Sequence, residues 1–130
     1  MAGYSGTPLV KKLGIKPQST LALLSAPDGF IKQLPGLPGD VRIVTRAGGS
    51  IDLAVWFVTS RRDLDRRIGD FGRKPPVGLW IAWPKKASGM TTDLSEDIVR
   101  AAGLEHGLVD YKVCAIDDTW SGLKFAKRRT

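Results

Sequence analysis

Three short apolar segments constrain the fold of this chain more than any other feature. They lie within Thr20–Ser25, Asp52–Thr59 and Val77–Trp83. The core of each segment is almost continuously apolar, which is typical of a strand that is buried on both faces, as in a parallel sheet. Helical patterns occur between and around these segments, and strands that alternate with helices predict an α/β sheet covered on both sides.

The helices are predicted from their end signals and their apolar spacing. A first helix should begin at Thr7-Pro8 and end at Gly14, since threonine caps a helix, proline suits its first turn and glycine terminates it. A second should follow Ser60, which forms a capping box with Asp63. Its inner face should consist of Leu64, Ile68 and Phe71, and Lys74–Pro76 should end it. A third helix is expected to begin at Thr92 or Asp93 and to stop at Gly103, with Leu94, Ile98, Val99 and Ala102 inside.

The other strands complete a mostly parallel sheet with an antiparallel end. Val41–Thr45 is predicted as the second strand, because the prolines and glycines of residues 26–40 exclude a long helix. Val109–Ile116 and Leu123–Lys127 should pair as a C-terminal hairpin across the turn Asp117–Gly122. The chain of 130 residues is of a length typical of one domain, so we expect a single domain over residues 1–130.

Composition excludes several classes of protein and site. One cysteine, Cys114, and one histidine, His106, exclude a disulfide framework and make a metal site improbable. Cys114 is expected to be a small buried apolar residue and His106 a capping or surface group. The longest apolar run, Leu53–Val58, is too short to cross a bilayer, and Met1–Gly6 lacks a secretory signal pattern, so a cytoplasmic protein is expected.

The order of elements resembles the Rossmann-like class I methyltransferases, whose sheet also ends in a hairpin. The resemblance implies a three-layer sandwich of reduced methyltransferase-like topology, one strand short because Thr45–Asp52 leaves no room for another helix and strand. In that family an acidic, glycine-rich turn after the first strand and an acidic residue after the next one hold the cofactor. Here the corresponding segments are Ser25–Gly29 and Thr45–Ala47. The first contains a proline, and the second contains Arg46 instead of an acidic residue.

These departures count against binding of S-adenosylmethionine, and no cofactor is predicted. The dinucleotide signature G-x-G-x-x-G and the phosphate-binding loop G-x-x-x-x-G-K-[ST] are absent as well. Neither the histidine nor the cysteine has a sequence context that indicates nucleophilic catalysis. An enzyme is therefore the less favoured interpretation.

A second resemblance is carried by longer strings. They are Tyr4–Leu9, Lys11–Lys16, Phe57–Ser60, Trp83–Gly89, Thr92–Leu94, Leu108–Asp110 and Lys112–Leu123. They resemble a family of small bacterial proteins known as domain of unknown function three thousand and fifty-two, from Tyr4 to the C-terminus. The resemblance implies a bacterial origin and a single domain, and it brings no activity, cofactor or catalytic residue.

A ligand site is expected where the parallel strands end, since open α/β sheets bind ligands beyond their carboxyl ends. The loop after the fourth strand and the hairpin turn should meet there. The candidate ligand-binding residues are Lys85, Lys86, Ser88, Asp117, Asp118, Trp120, Ser121 and Ser60. In one interpretation the lysines and helix N–H groups hold a small anion while Trp120 or Trp83 stacks on a ring. If a ligand binds in this way, the turn Ala26–Gly29 is expected to form at most a wall of the cleft. In the other interpretation, the lysines pair with Asp117 and Asp118 to fix the hairpin, and Trp120 covers the sheet edge.

The formal charge of +7 favours attraction to acidic partners. The candidate basic patch consists of Arg61, Arg62, Arg66, Arg67, Lys127, Arg128 and Arg129. Three functions stay open at this point. They are a non-enzymatic ligand-binding or regulatory module with an anion- or nucleotide-like cleft, a basic-patch binder of nucleic acid or an acidic protein, and a degenerate S-adenosylmethionine-dependent transferase.

Overall fold

The computed structural model describes residues 8–128. The predicted cap Thr7 and the patch residue Arg129 lie outside the described residues. The helices are α1 (Leu9–Leu13), α2 (Arg61–Arg73) and α3 (Glu96–Glu105), and short 3₁₀ turns cover Phe30–Gln33 and Lys86–Ser88. The strands are β1 (Thr20–Leu24), β2 (Arg42–Val44), β3 (Leu53–Phe57), β4 (Gly78–Pro84), β5 (Leu108–Ala115) and β6 (Trp120–Lys127).

The six strands form one sheet in the order β2-β1-β3-β4-β6-β5. β1 to β4 are parallel, and β6 is antiparallel to both β4 and β5. This confirms the predicted α/β architecture with its C-terminal hairpin. Residues 45–52 connect β2 to β3 without a helix or strand, so β2 is the last strand on its side. We call the edge at which β1 to β4 end the carboxyl edge.

Two apolar clusters lie on opposite faces of the sheet. The α2–α3 face is the larger, and the predicted helix positions Leu64, Ile68 and Phe71 are all buried in it. The α1 face is covered by α1, the first 3₁₀ turn and loops, and Phe30 and Trp80 are central to it. The apolar runs of β3 and β4 are buried on both faces, as their unbroken patterns predicted.

Helix α3 begins later than predicted and continues past its predicted stop. Its cap is Ser95, whose hydroxyl accepts from the Ile98 N–H at 3.3 Å, and Leu94 is buried just before the helix. Gly103 lies inside the helix because its bare backbone packs on Phe125, where a Cβ would overlap the ring. The left-handed residue that follows the helix is Gly107, at φ 79°.

Candidate functional site

The two late loops do meet at the carboxyl edge. Pro84 at the end of β4 lies opposite Trp120 at the start of β6, and the Lys85 N–H donates to the Thr119 carbonyl at 2.8 Å. The topology thus brings the lysine loop and the hairpin turn side by side, as expected for an antiparallel partner of a parallel strand. Lys86 and Asp118 are exposed at this place.

Several polar groups of these loops are occupied by bonds within the loops. The Asp117 carboxylate accepts from the N–H groups of Thr119 and Trp120, both at 2.8 Å, and so closes the hairpin turn. The Ser88 hydroxyl donates to the Lys85 carbonyl at 2.6 Å and accepts from the Met90 N–H. Among residues 8–128, no ion pair joins Lys85 or Lys86 to Asp117 or Asp118. The hairpin is therefore fixed by Asp117 and by backbone bonds, without the predicted lysine pairing.

The two indoles proposed for stacking are buried on opposite faces of the sheet. Trp120 is 6% exposed and meets the Phe57 ring edge-on, with ring centres 5.0 Å apart. Trp83 is 5% exposed and belongs to the α2–α3 face. Neither ring therefore presents a free face to a ligand. The burial of Trp120 agrees with the alternative interpretation, in which this side chain covers the sheet. Ser121 is half-buried beside Trp120 on β6.

Backbone N–H groups at the amino end of α2 already have side-chain acceptors within the chain. The Ser60 hydroxyl accepts from the Asp63 N–H at 3.1 Å, which confirms the predicted cap. The Arg61 N–H donates to the Asp93 carboxylate at 2.7 Å, and the Thr92 hydroxyl donates to the Thr59 carbonyl at 2.7 Å. Thr92 and Asp93 therefore tie two loops together instead of starting α3, and Asp93 occupies a place predicted for a bound anion.

A concave pocket opens at the other end of the carboxyl edge. Its volume is about 380 Å³, and it lies beyond the ends of β1 and β2. Its lining is Leu23, Ser25, Ala26, Pro27, Asp28, Gly29, Phe30, Ile31, Ile43 and Thr45. The turn after β1 thus supplies much of this β1–β2 pocket, although the sequence predicts only a minor part for that turn.

The turn after β1 takes its shape from two residues with positive φ. Ser25 has φ 56°, in the left-handed region that a non-glycine residue rarely adopts, and Gly29 has φ 77° before the 3₁₀ turn. The chain therefore bends sharply at the end of β1 and folds back to form the pocket wall. Positive φ at a serine carries no sequence signal. The strand order would not have found it either, because the order reverses between β1 and β3, whereas the pocket lies beside β1 and β2.

The basic residues divide between the two edges of the sheet. Arg61 and Arg62 start α2 at the carboxyl edge. β6 runs the other way and ends at Lys127 at the opposite edge, where the N–H of the following Arg128 donates to the Gly107 carbonyl. On α2 itself, the side chains of Arg61, Arg66 and Arg73 form exposed ion pairs with Asp65, Asp63 and Asp70. The aspartates of the helix thus balance part of its positive charge.

The two candidate nucleophilic groups lie outside the pocket. His106 is exposed at the end of α3. Cys114 is half-buried on β5 rather than fully buried, because β5 is the last strand of the sheet. Burial raises the pKa of the Cys114 thiol despite the opposing effect of Lys12, Lys85 and Lys112. Within the described part of the chain, no group of three or more histidine, cysteine and carboxylate side chains has the arrangement of a metal site. Likewise, no helix between residues 8 and 128 is long and apolar enough to span a membrane.

Comparison with known proteins supports the fold and does not identify a family. No protein-family model matches the chain, and no curated protein matches its sequence. Solved structures do match. Magnesium protoporphyrin IX methyltransferase from Synechocystis PCC 6803, with bound SAH, aligns with a TM-score of 0.61 at 10% identity, over 92% of this chain and 78% of that one. A protein of Sulfolobus solfataricus assigned to the type 11 methyltransferases aligns at 0.62 and 12% identity, over 94% and 90%.

A SAM-dependent methyltransferase from Aquifex aeolicus gives a TM-score of 0.57 at 12% identity, over 90% of this chain and 86% of that one. At these identities the likeness concerns the fold alone. The chain has the Rossmann-like α/β fold of the methyltransferases, with a six-stranded, mostly parallel sheet.

Proposed function

We propose that this chain is a ligand-binding or regulatory module that holds a nucleoside-like molecule in the β1–β2 pocket. The observation that carries the proposal is the position of the pocket. Its walls are the turn Ser25–Gly29 and Thr45, which follows β2. By the order of elements these two segments resemble the places at which class I methyltransferases hold their cofactor. A volume of about 380 Å³ falls within the range of small-molecule sites.

The lining suits a ligand with both an apolar ring and hydroxyl groups. Leu23, Phe30 and Ile43 offer apolar surface for a ring, while the carboxylate of Asp28 accepts hydrogen bonds from ligand hydroxyls. Ser25 and Thr45 add hydroxyl groups that both donate and accept. Arg46 follows Thr45 and is exposed, so a phosphate on the ligand would have a cation at the rim.

A transferase that uses S-adenosylmethionine is the second candidate. The fold favours it, because similar structures are methyltransferases, and the protoporphyrin IX enzyme is known with bound SAM and with bound SAH. The local chemistry favours it less. Pro27 has no N–H to offer a cofactor, and Arg46 stands where the family places an acid.

Calorimetric titration with adenosine, AMP, S-adenosylmethionine and S-adenosylhomocysteine tests both candidates. We expect at least one of the four to bind, and Asp28→Asn to weaken it at least about tenfold, the loss of roughly one hydrogen bond to a charged group. The matched control is Asp118→Asn, which removes an exposed carboxylate from the hairpin turn and should leave affinity unchanged.

The opposite result for these variants would place the ligand outside the β1–β2 pocket. If Asp118→Asn and Lys85→Ala weaken binding while Asp28→Asn does not, the ligand lies at the late loops, as predicted from the sequence. Binding of none of the four compounds contradicts the nucleoside proposal. Tight binding of S-adenosylmethionine, with methyl transfer to an added acceptor, would favour the transferase.

A further inference from the structure

A lysine cluster lies on the α1 face of the hairpin, far from the β1–β2 pocket. Lys124 on β6 lies opposite both Trp80 of β4 and Lys112 of β5, and directly opposed residues of antiparallel strands share a face. The Lys124 ammonium donates to the Leu13 carbonyl at 3.4 Å and lies 5.8 Å and 5.9 Å from the ring centres of Trp80 and Tyr111.

The surroundings of Lys124 are positive. Burial lowers the pKa of Lys124, and the nearby charges of Lys112 and Lys16 lower it further. In residues 8–128, none of these three lysines forms an ion pair with a carboxylate. Asp110 of the same hairpin lies on the other face, where Arg100 binds it at 3.0 Å. The cluster therefore lacks an anionic partner within the described chain.

The same hairpin ends the sheet. β5 is the last strand in the order, so within the described residues no other strand pairs with its outer edge. Apolar side chains are exposed along it, with Val109 at 38%, Tyr111 at 53% and Val113 at 64%. An unpaired strand edge offers N–H and C=O groups to an extended peptide, and exposed side chains on both faces supply contacts beyond the backbone.

We propose that the outer edge of β5 binds an extended acidic peptide from a partner protein, which adds a strand to the sheet beside Lys16, Lys112 and Lys124. The charge of this surface decides the occupant. A second copy of the chain would bring the same lysines, and a net charge of +7, against this edge. Single-stranded nucleic acid binds through stacking on exposed aromatic rings, and Tyr111 is the one ring exposed on β5.

The test uses a fluorescein-labelled heptapeptide of alternating glutamate and valine at low salt. We expect saturable binding to the full chain by fluorescence anisotropy. A second peptide of the same sequence, N-methylated at its three central amides, keeps the charge but blocks both hydrogen-bonding edges, and it should bind at least about tenfold more weakly. Lys112→Glu and Lys16→Glu should each weaken the unmodified peptide about three- to tenfold, whereas Lys32→Glu, on an exposed lysine of the first 3₁₀ turn at the other end of the sheet, should not.

Hydrogen exchange gives a second measurement, which electrostatic attraction without strand addition would not change. The bound peptide should slow exchange of backbone amides between residues 109 and 115 and leave those of β2 unchanged. Equal binding of the two peptides would overturn the proposal, because attraction would then be electrostatic without strand addition. No binding at about 1 mM protein would overturn it, since that limit is about 4 kcal/mol of binding free energy. Tighter binding of an oligothymidylate of equal charge, or a β5-mediated dimer in sedimentation, would overturn it too.

Discussion

The two faces of the sheet differ in how completely they are closed. On the α2–α3 face, two helices of 13 and 10 residues pack on a continuous apolar cluster, and their ends approach so closely that Gly72 lies against the backbone of His106. The α1 face has a helix of five residues, a 3₁₀ turn and loops, and it carries the lysine cluster. The difference indicates that tight packing holds the first face, while the second and the adjoining carboxyl edge leave surface for binding.

The largest effect on the free energy of unfolding is expected where the α2–α3 face is packed most closely. Gly72→Ala places a methyl group into the backbone of His106, which cannot move aside as a flexible side chain would. We expect the free energy of unfolding to fall by about 2–3 kcal/mol, as for overpacking elsewhere. Urea denaturation followed by circular dichroism measures it.

Gly69→Ala in the same helix is the matched control. Its added methyl group would have 3.6 Å to the nearest atom, an ordinary contact. Since alanine favours helix more than glycine does, the variant should gain up to about 0.5–1 kcal/mol. Equal destabilisation by both substitutions would show that close packing of α2 on α3 does not distinguish this face.

Capping of α2 should have the next largest effect. Ser60→Ala removes the acceptor of the Asp63 N–H and should destabilise the chain by about 1 kcal/mol. The same substitution tests the role of Ser60 at the predicted site. A variant that loses stability but keeps full ligand affinity assigns Ser60 to the helix, and a variant that loses affinity without losing stability assigns it to the ligand.

The open face should respond to pH through Lys124. Because its pKa is lowered from 10.5 in the folded chain, the unfolded chain holds the proton more strongly between the two pKa values. The unfavourable contribution of the charged lysine is present in full below the folded pKa and is relieved as the pH rises from there to the unfolded value of 10.5. Lys124→Met should therefore gain stability relative to the wild type most at about pH 8 and less at about pH 11. A constant difference between the two chains across this range would contradict the assignment.

The smallest effect concerns Cys114 on the same face. Since burial raises the pKa of its thiol, less thiolate is present in the folded chain than in the unfolded one at a given pH. Alkylation by iodoacetamide at about pH 8 should be several-fold slower in buffer than in urea. A faster reaction in the folded chain would mean that the neighbouring lysines outweigh burial.

Elements with a local cause were predictable from the sequence. The buried strands and the apolar face of α2 follow from spacing, and the Ser60 cap follows from a side chain three residues from its partner. The start of α3 was misplaced because Thr92 and Asp93 look like caps but bond to Thr59 and Arg61, more than thirty residues away. The sequence pattern contains no information on such distant partners.

The sequence predicted which edge of the sheet carries a candidate site, but not where along that edge the pocket lies. Strand order gives the carboxyl edge and brings Lys85 to Thr119, and both follow from topology. The β1–β2 pocket depends on the left-handed backbone of Ser25, and the burial of Trp120 depends on its contact with Phe57. Both are consequences of three-dimensional packing. A role of the late loops in binding, and the resemblance to an uncharacterised bacterial family, stay predictions.

The short strand β2 has a consequence for the kinetics of binding. It is at once a wall of the pocket and the outermost strand of the sheet, and it pairs with β1 through three residues. Separating such a strand disturbs no pairing beyond its own, so the pocket has a side that opens by local fraying. We therefore expect a ligand to enter and leave rapidly, with a residence time set by the opening of β2 rather than by unfolding of the core.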